Sequence, residues 1–365
     1  MPTPPSRPKR LIADISAHGF GHLAQTACVL NAVHDSDPSI EIVVRTGHSP
    51  AVVRKFVTVP HQQAEMYPDK GLVMKGPSHV DITATKAAFI TLHDNLDTVV
   101  QHEAERLAAF EPGLLLSNIP YTSLLAARMA RIPAFAFCSL NWHDILYGYL
   151  AGDPRMAPIL EEVRRAYGTA GQFILPEPSM PTAWHPAPSH VGPVSRRATD
   201  HSRPAGLPAP DEKALALVAL GGIASDFDPA CLPFLPEIHW VLAGPGKAPH
   251  RNDVTPLDDT GLSLLDLMPH ADAIITKSGY GTFVEAACHG VRVLFASRPD
   301  WPEAAFLEPW LITHATAAAI TQEALYSGDF AVPLQTLLEQ APSPPIQATG
   351  AAMAARIICD HLSSL

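Results

Sequence analysis

Short apolar runs alternate along the chain with longer segments whose apolar residues recur at helical spacing. The runs that predict strands are residues 11–16, 40–45, 114–120, 132–139, 215–220, 238–243, 273–276 and 291–296. Helical patterns follow several of these runs, for example over 23–34 and 121–130. Strands that alternate with helices are typical of parallel sheets, so the pattern predicts an α/β protein.

The length of the chain and a Pro-rich segment near its middle predict two domains. The chain has 365 residues, and residues 186–211 are rich in Pro and polar side chains, as interdomain linkers are. We therefore expect a disordered basic tail over 1–10, a first domain over 11–195, a linker over 196–212 and a second domain over 213–348. Residues 349–365 predict a terminal helix.

Composition and charge narrow the function classes. The formal net charge is −11, with 36 acidic and 25 basic residues, which indicates no general affinity for nucleic acids. The five cysteines form no Cys-x-x-Cys pair, so neither a zinc site nor a disulfide framework is indicated. No apolar run is long enough to span a membrane, and the first ten residues lack the apolar core of a signal peptide. We expect a cytoplasmic protein.

The loop after the first predicted strand has a histidine at each end. Its sequence over 18–22 is HGFGH. Glycines let the backbone of such a loop approach a ligand, and the histidines place titratable groups beside it. A neutral imidazole can accept a proton from a substrate hydroxyl. His22 and His18 are therefore candidate catalytic bases.

The same loop formally satisfies a dinucleotide-binding fingerprint. Residues 19–24, GFGHLA, match the G-x-G-x-x-A variant. A site for NAD would need an acidic residue at the end of the second strand, but that strand ends in Arg45 and Thr46. An arginine is compatible with NADP, so an NADP-linked oxidoreductase stays open as an alternative, although it does not explain a second glycine loop.

That second glycine loop, KSGYGT over 277–282, lies between the strand 273–276 and a helix that we expect to stop at Gly290. The start of a helix offers free backbone N–H groups and a positive dipole end, a ready site for a diphosphate. We expect Glu285 in the first turn of the helix, within reach of a neighbouring ribose. The alternative is that the glycines only form a turn and Glu285 only complements the helix dipole.

The whole stretch 271–306, ADAIITKSGYGTFVEAACHGVRVLFASRPDWPEAAF, resembles the donor-binding segment of GT-B glycosyltransferases. The UDP-N-acetylglucosamine transferase of peptidoglycan synthesis is the familiar case. The resemblance is carried by Ala-Asp at the strand entry, Ser-Gly at its exit, Glu seven residues after the Ser, and an Asp in the loop after the next strand. It implies that Glu285 binds the ribose hydroxyls and that the loop holding Asp300 and Glu303 binds the donor sugar.

Residues 117–147, SNIPYTSLLAARMARIPAFAFCSLNWHDILY, give a more specific resemblance. Together with the HGFGH and KSGYGTFVEA segments, they resemble the N-terminal, glycosyltransferase-like part of L-arabinokinases and their free-standing bacterial relatives. No kinase signature follows in this chain. The resemblance covers most of residues 10–315 and implies the GT-B fold: two doubly wound Rossmann-like domains that face a central cleft. The terminal helix could cross back to the first domain, as it does in that fold.

The resemblance assigns roles residue by residue. It implies His22 as the base that deprotonates the acceptor, and His18 is an additional candidate. Asp144, Asn118 and Trp142 follow strands at their carboxyl ends, where open α/β sheets bind ligands, so we expect Asp144 to be catalytic and Asn118 and Trp142 to lie on the acceptor side. Core packing remains the alternative for Trp142. Gly19, Gly21 and Asp81 belong to loops that resemble the acceptor-side loops of GT-B enzymes. For the donor the resemblance implies Gly221, Gly222, Gly244, Lys277, Ser278, Gly279, Tyr280, Gly281, Thr282, Glu285, Asp300 and Glu303. We interpret Arg298, the other nearby cation, as a solvated surface charge.

The sequence therefore predicts a glycosyltransferase that moves a sugar from a nucleotide-sugar, UDP-linked by our expectation, to a small-molecule or glycan acceptor. No metal and no bound cofactor are expected, since backbone amides and the helix dipole can offset the charge of the leaving diphosphate. A nucleotide-sugar hydrolase or epimerase on the same fold, and a non-catalytic nucleotide-sugar-binding module, remain alternatives.

Overall fold

A computed structural model describes residues 9–76, 79–198, 204, 206–221, 227–244 and 251–365. These residues form two compact units. The first contains residues 9–73, 80–194 and 349–365, and the second contains 195–348 and the described part of 74–79. The prediction of a tail over 1–10 was wrong at its end: Lys9 forms an ion pair with Asp37 at 3.0 Å, and Arg10 begins the first strand. Residues 1–8 lie outside the described part.

Parallel strands form the sheet of the first unit, in the order β3-β2-β1-β4-β5-β6-β7. They are β1 Arg10–Ile15, β2 Glu41–Thr46, β3 Gln62–Ala64, β4 Leu114–Asn118, β5 Ala134–Phe137, β6 Gln172–Pro176 and β7 Pro188–Val191. The direction of strand addition reverses between β1 and β4, and open α/β sheets bind ligands at the carboxyl ends of strands at such a switch point.

Helices cover this sheet, so its central strands are buried and their sequences are nearly all apolar. The helices are α1 Gly21–Ser36, α2 Pro50–Phe56, α3 Ile82–His93, α4 Leu96–Ala108, α5 Tyr121–Met129, α6 Trp142–Leu150 and α7 Ala157–Tyr167. Between β1 and α1 the backbone turns through Gly19 at φ +78°, a left-handed conformation that favours glycine. The loop thereby places the start of α1 at the β1/β4 switch point.

The second unit repeats this architecture with the strand order β10-β9-β8-β11-β12-β13, again all parallel. Its strands are β8 Ala214–Ala219, β9 Ile238–Ala243, β10 Val254–Pro256, β11 Ala273–Lys277, β12 Arg292–Ala296 and β13 Ala317–Ile320. Its helices are α8 Leu264–Leu267, α9 Tyr280–His289, α10 Ala304–His314, α11 Gln322–Ser327 and α12 Ala331–Leu338. The switch point of this sheet lies between β8 and β11. Gly290, at φ +69°, ends α9, which confirms the prediction that this helix stops at Gly290.

The last helix, α13 Gly350–Ser363, belongs to the first unit. Its apolar residues Ala354, Ala355, Ile358 and Leu362 share a buried core with α1 and β1. Where α13 begins, Gly350 approaches the chain so closely that a Cβ there would lie 1.9 Å from the carbonyl oxygen of Gly192. Strand β7 forms inside the Pro-rich segment 186–211, so the first part of that segment is not a linker; the units divide between Val194 and Ser195.

Candidate active site

His22 lies at the start of α1, directly at the switch point of the first sheet. Its side chain is buried, and its Nδ1 lies 2.9 Å from Oδ1 of Asn118, the last residue of β4. The two residues are 96 positions apart in the chain. The register of the sheet brings them together, because Ile15 at the end of β1 pairs with Asn118. Two of the predicted site residues are thus in direct contact.

The partners of Asn118 determine which nitrogen of His22 carries a proton. The amide nitrogen of Asn118 donates to Thr26 Oγ1 at 2.9 Å, and Thr26 Oγ1 in turn donates to the carbonyl of His22 at 2.8 Å. The amide oxygen of Asn118 therefore faces the imidazole and accepts from Nδ1–H. The lone pair of neutral His22 is consequently on Nε2, the atom that a general base needs.

Burial keeps His22 in this neutral form. Loss of hydration is the largest cause that lowers its pKa, to about 4, and the neighbouring His18 lowers it further, while the hydrogen bond to Asn118 acts in the opposite direction. At neutral pH the imidazole is therefore almost entirely unprotonated. It can accept a proton, although it is a weaker base than an ordinary histidine.

His18 lies beside Trp142. Its ring meets the indole edge-on at a centroid distance of 5.4 Å, and the ring of His22 lies 6.0 Å from the same indole. Trp142 is fully buried, so this predicted acceptor-side residue shapes the walls around both histidines. A Cβ on Gly71, at φ +50°, would lie 3.0 Å from His18 Nδ1, which means that the 66–73 loop packs against this ring.

Asp69, which sequence reasoning missed, fastens that loop. Its Oδ2 accepts from the indole nitrogen of Trp142 at 2.9 Å. Burial raises the pKa of Asp69, while hydrogen bonds from Ser16, Trp142 and the backbone of Gly71 lower it in part. One carboxylate therefore joins the end of β1, the start of α6 and the loop. Its place in a polar connection offered no signal, because its partners are remote in sequence.

Asp144 and Asp81 both have structural hydrogen-bond partners. Oxygens of Asp144 accept from Asn141 Nδ2 at 2.8 Å and from Trp184 Nε1 at 3.2 Å, and Oδ1 lies 2.7 Å from His143 Nδ1. Burial alone would raise the pKa of Asp144, but the hydrogen bonds from His143 and Asn141 lower it overall. The histidine that Asp144 contacts is therefore His143. Asp81 caps α3 by accepting from the backbone N–H of Ala84.

Arg45 belongs to a buried cluster of ion pairs, so it is not free to bind the 2′-phosphate of NADP. Its guanidinium is fully buried and donates to Asp14 at 2.8 and 3.0 Å and to Glu103 at 2.6 Å. Burial is the largest influence on the pKa of Asp14 and raises it, although Arg45 opposes this. A 2′-phosphate cannot reach an arginine enclosed in this way, so the dinucleotide interpretation of 19–24 was wrong.

In the second unit the predicted diphosphate site is the start of α9. Among the described residues no side chain caps this helix and no acidic residue occupies its first turn. Gly279 is extended, and nothing in the described part of the chain lies within 4 Å of where a Cβ of Gly281 would be. The side chain of Tyr280 is buried and packs in the core of the second unit. Thr282 is half-buried in the same turn.

Lys277, the last residue of β11, adds a positive charge beside this turn. Its Nζ would lie 3.8 Å from a Cβ on Gly221, which follows β8 at φ +91°. Burial is the main cause that lowers the pKa of Lys277, to about 8, and Arg298 lowers it further, while Glu303 opposes them. Lys277 is therefore still charged at neutral pH. Gly244 is exposed after β9, and Gly222 lies outside the described residues.

Glu285 lies in the second turn of α9, because the helix already begins at Tyr280; its prediction in the first turn was wrong. The side chain is buried, and Oε1 accepts from Arg196 Nε at 2.7 Å. The carboxylate thus does not point to bulk water. A ribose at this position would share Glu285 with Arg196 or use the other oxygen.

Residues of the loop 297–303, which follows β12, contact one another. Arg298 is buried, with its guanidinium 4.7 Å from the ring centre of Trp301, so the interpretation of Arg298 as a solvated charge was wrong. The indole nitrogen of Trp301 donates to Glu303 Oε2 at 3.1 Å, and Glu303 is buried as well. Of the two acids predicted to bind the donor sugar, Asp300 alone is exposed.

Sequence reasoning also missed Glu308, whose carboxylate lies at the ends of β11 and β12. Ser278 Oγ donates to Oε1, Ser297 Oγ lies 3.0 and 2.8 Å from the two oxygens, and the N–H of Arg298 donates to Oε1 at 3.1 Å.

In the described part of the chain no group of three or more His, Cys, Asp or Glu side chains could hold a metal ion. The expectation of metal-independent chemistry stays a prediction. None of the described helices is long and apolar enough to cross a membrane.

Two solved structures resemble the fold of this protein over nearly the whole chain. CalG4, the calicheamicin glycosyltransferase, superposes with a TM-score of 0.63 at 16% identity, covering 98% of this chain and 94% of its own. A UDP-glucosyltransferase from Polygonum tinctorium capable of glucosylating indoxyl gives a TM-score of 0.63 at 13% identity, covering 99% and 100%. The chain has the GT-B fold. The predicted fold class is confirmed.

Sequence comparison adds a partial match to one curated glycosyltransferase. A demethyllactenocin mycarosyltransferase from Streptomyces fradiae is 29% identical over 162 residues, which cover 41% of this chain. The match takes in 31% of that enzyme, so the chain spans less than a third of the length of this curated relative. No protein-family model matches the chain. The GT-B fold hosts several chemistries, so activity has to be argued from the residues of the site.

Proposed function

We propose that the protein transfers a sugar from a nucleoside-diphosphate sugar to an acceptor hydroxyl. His22 Nε2 takes the hydroxyl proton while the oxygen forms a bond to the anomeric carbon. The bond from that carbon to the diphosphate breaks, and the leaving diphosphate keeps the electron pair. Backbone N–H groups at the start of α9 and the Lys277 ammonium offset its charge.

The observation that carries this proposal is the hydrogen bond between His22 Nδ1 and Asn118 Oδ1 at 2.9 Å. It holds the ring in one orientation and leaves the lone pair on Nε2. Because burial lowers the pKa of His22 to about 4, the base form prevails at neutral pH. A buried, oriented and unprotonated imidazole at the switch point of an α/β sheet fits acceptor activation better than a structural role.

For the donor we propose a UDP-sugar held by the second unit. Its support is the uncapped start of α9, the charge of Lys277 and the buried carboxylate of Glu285. The Polygonum tinctorium enzyme of the same fold is a UDP-glucosyltransferase, which favours uridine over other bases. These groups can stabilise a leaving diphosphate without a metal ion.

Within the GT-B fold, we propose a functional type like that of the glycosyltransferase-like part of L-arabinokinases, because three separate motifs of this sequence resemble it. The acceptor is proposed to be a small molecule or a glycan. It would enter beside His18, His22 and the 66–73 loop. The fully buried Trp142 would support this entry without touching the acceptor.

The test has two stages. Calorimetry with UDP, UDP-glucose, UDP-N-acetylglucosamine, GDP-mannose and NADPH should give saturable binding of UDP compounds and none of NADPH. Incubation with the bound nucleotide-sugar, first alone and then with a panel of acceptors, follows release of UDP. Acceptor-dependent release with a glycosylated product supports transfer. Free sugar without an acceptor would indicate hydrolysis, an altered sugar epimerisation, and binding without any turnover across the panel a sensor module.

A further inference from the structure

Glu308 connects two segments of the second unit that are distant in sequence. It lies on α10, yet all of its described hydrogen-bond donors belong to the carboxyl ends of β11 and β12. Those donors are the hydroxyls of Ser278 and Ser297 and the backbone N–H of Arg298. A carboxylate that accepts several such bonds is held in one place and holds its donors in turn.

The first of these segments is the turn into α9. Ser278 follows Lys277 directly, and its backbone N–H donates to Ala296 O at 3.2 Å. Its hydroxyl is the group that Glu308 accepts from. The position of Ser278 fixes where the chain enters Gly279 and hence where the first N–H groups of α9 point. Glu308 therefore acts on the anion-binding turn without belonging to it.

The second segment is the loop 297–303, which begins at the other two donors of Glu308. From Arg298 onward, contacts within the loop connect its residues: the N–H of Trp301 donates to Arg298 O at 2.9 Å, and the guanidinium of Arg298 lies over the Trp301 ring. Anchoring Arg298 thus anchors Trp301. Asp300, which is exposed like its neighbour Pro299, lies between them in the chain.

We propose that Glu308 is the positioning residue of the donor site: its one carboxylate sets both the turn that receives the diphosphate and the loop that presents Asp300 to the donor sugar. This inference rests on the proposed function, since it assumes that a nucleotide binds at the start of α9. Glu308 acts through Ser278, Ser297 and Arg298 and touches no substrate atom.

Removal of the Glu308 carboxylate could in principle tighten UDP binding instead of weakening it, so the sign of the change in affinity tests the inference. A carboxylate bound by donors beside an anion site could compete with a diphosphate, and its removal would then tighten binding. The observed donors argue against this, because they are the side chains of Ser278 and Ser297 and the N–H of Arg298 rather than the first N–H groups of α9. Glu308 and a diphosphate at α9 would use different donors.

The experiment compares the full chain with its Glu308→Ala, Glu308→Gln and Ser297→Ala variants at 25 °C, each checked for folding by circular dichroism. Hydrogen exchange without ligand measures protection of residues 278–283 and 297–303, and calorimetry measures the affinities for UDP and UDP-glucose. Glu308→Ala should lower the hydrogen-exchange protection of the Arg298 amide at least tenfold and lower the affinity for UDP about tenfold. Glu308→Gln keeps an acceptor oxygen and should restore both to within about threefold. Ser297→Ala, which leaves the carboxylate in place, should lie between them.

Glu237→Ala is the matched control, since Glu237 is an exposed glutamate of the same unit that accepts from Gln335 at 2.7 Å. It should change neither protection nor affinity. Unchanged or tighter UDP binding by Glu308→Ala would overturn the inference while the proposed function stands. Loss of affinity in Ser297→Ala without loss of protection would also contradict it. If the unmodified protein binds no UDP compound, the proposed function itself fails, and the donor role of Glu308 fails with it.

Discussion

The two units of this protein have sheets with the same central strand order, yet their switch points carry different chemistry. At the β1/β4 point of the first unit, side chains dominate: a buried imidazole is oriented by a buried amide. At the β8/β11 point of the second unit, backbone N–H groups of a helix start and one lysine dominate. The two switch points share a strand order, and the residues at the strand ends give them different groups: a buried histidine in the first unit, and a helix start beside a lysine in the second. In the proposed function the first group would transfer a proton and the second would bind an anion.

Burial acts in the same direction on the main titratable group of each site, with opposite consequences at pH 7. Loss of hydration lowers the pKa of His22 to about 4 and that of Lys277 to about 8. Because the imidazole starts from 6.5 and the ammonium from 10.5, His22 becomes neutral and Lys277 stays charged. One physical effect thus yields a base in one unit and a cation in the other.

The sharpest test of this contrast is His22→Ala. Because general bases contribute about 10²- to 10⁴-fold to rate, kcat for UDP-sugar turnover should fall by that factor while UDP affinity is unchanged. Steady-state kinetics and calorimetry measure the two quantities. His34→Ala, on the last turn of the same helix, is the control and should behave as the unmodified protein. Full activity in His22→Ala would refute its role as the base.

The cation of the second unit is tested by Lys277→Met. Loss of a buried charge opposite a diphosphate costs about 2 kcal/mol or more, so UDP affinity should fall about 30-fold at pH 7. In the unmodified protein, affinity should also decline as the pH rises through about 8, where Lys277 loses its proton. The variant should lack this decline. Lys213→Met, just before the amino end of β8, serves as the control, and an equal loss in both variants would count against a specific role.

Glu285 is the third point of comparison, because it is a buried acid in the unit that is proposed to bind the diphosphate. Glu285→Ala should weaken UDP at least about tenfold through loss of the ribose contact, since hydrogen bonds to charged groups are worth about 1.5–3 kcal/mol. Glu285→Gln keeps an acceptor for Arg196 and should preserve the melting temperature better than the alanine variant does. Unchanged UDP affinity in Glu285→Ala would exclude it from the donor site.

The smallest effect is expected from Asn118→Asp, which alters charge with little change of shape. A carboxylate beside Nδ1–H favours the imidazolium and should raise the pKa of His22 by about 1–3 units. The acid limb of the kcat profile should therefore move upward from near pH 4, with less than about a tenfold change in rate at pH 8. Asn31→Asp, elsewhere on α1, is the control. An unmoved acid limb would mean that the Asn118 contact is absent in the working protein.

Local pattern sufficed for eight of the thirteen strands in the described part of the chain and for the α/β class. The predicted strand at 11–16 forms as Arg10–Ile15, the predicted helix at 23–34 as Gly21–Ser36, and Gly290 ends α9 where it was expected. These features depend on apolar periodicity and on the freedom of glycine to take positive φ, both of which are readable in a short window. The tail and Glu285 were misplaced by one or two residues at element boundaries, where periodicity is weakest.

A short stretch of sequence could not predict contacts between residues that are distant in the chain. Arg298 reads as a surface cation, yet it is buried against Trp301. Asp69 stands in a polar connection and Glu308 among the apolar residues of α10, yet each accepts hydrogen bonds from separate segments. The interdomain cleft, the sugar and the acceptor remain predictions of the resemblance.

The amino-acid sequence by itself determined the alternation of strands and helices, the two glycine turns and the candidates His22 and Glu285. These are set by neighbouring residues, since backbone sterics and amphipathic periodicity act over a few positions. Only the tertiary structure decided that Asn118 orients His22 across 96 positions, that Arg45 is enclosed by Asp14 and Glu103, and that Glu308 holds two strand ends. Charge state and orientation depend on burial and on contacts made by the folded chain, and no local pattern contains them.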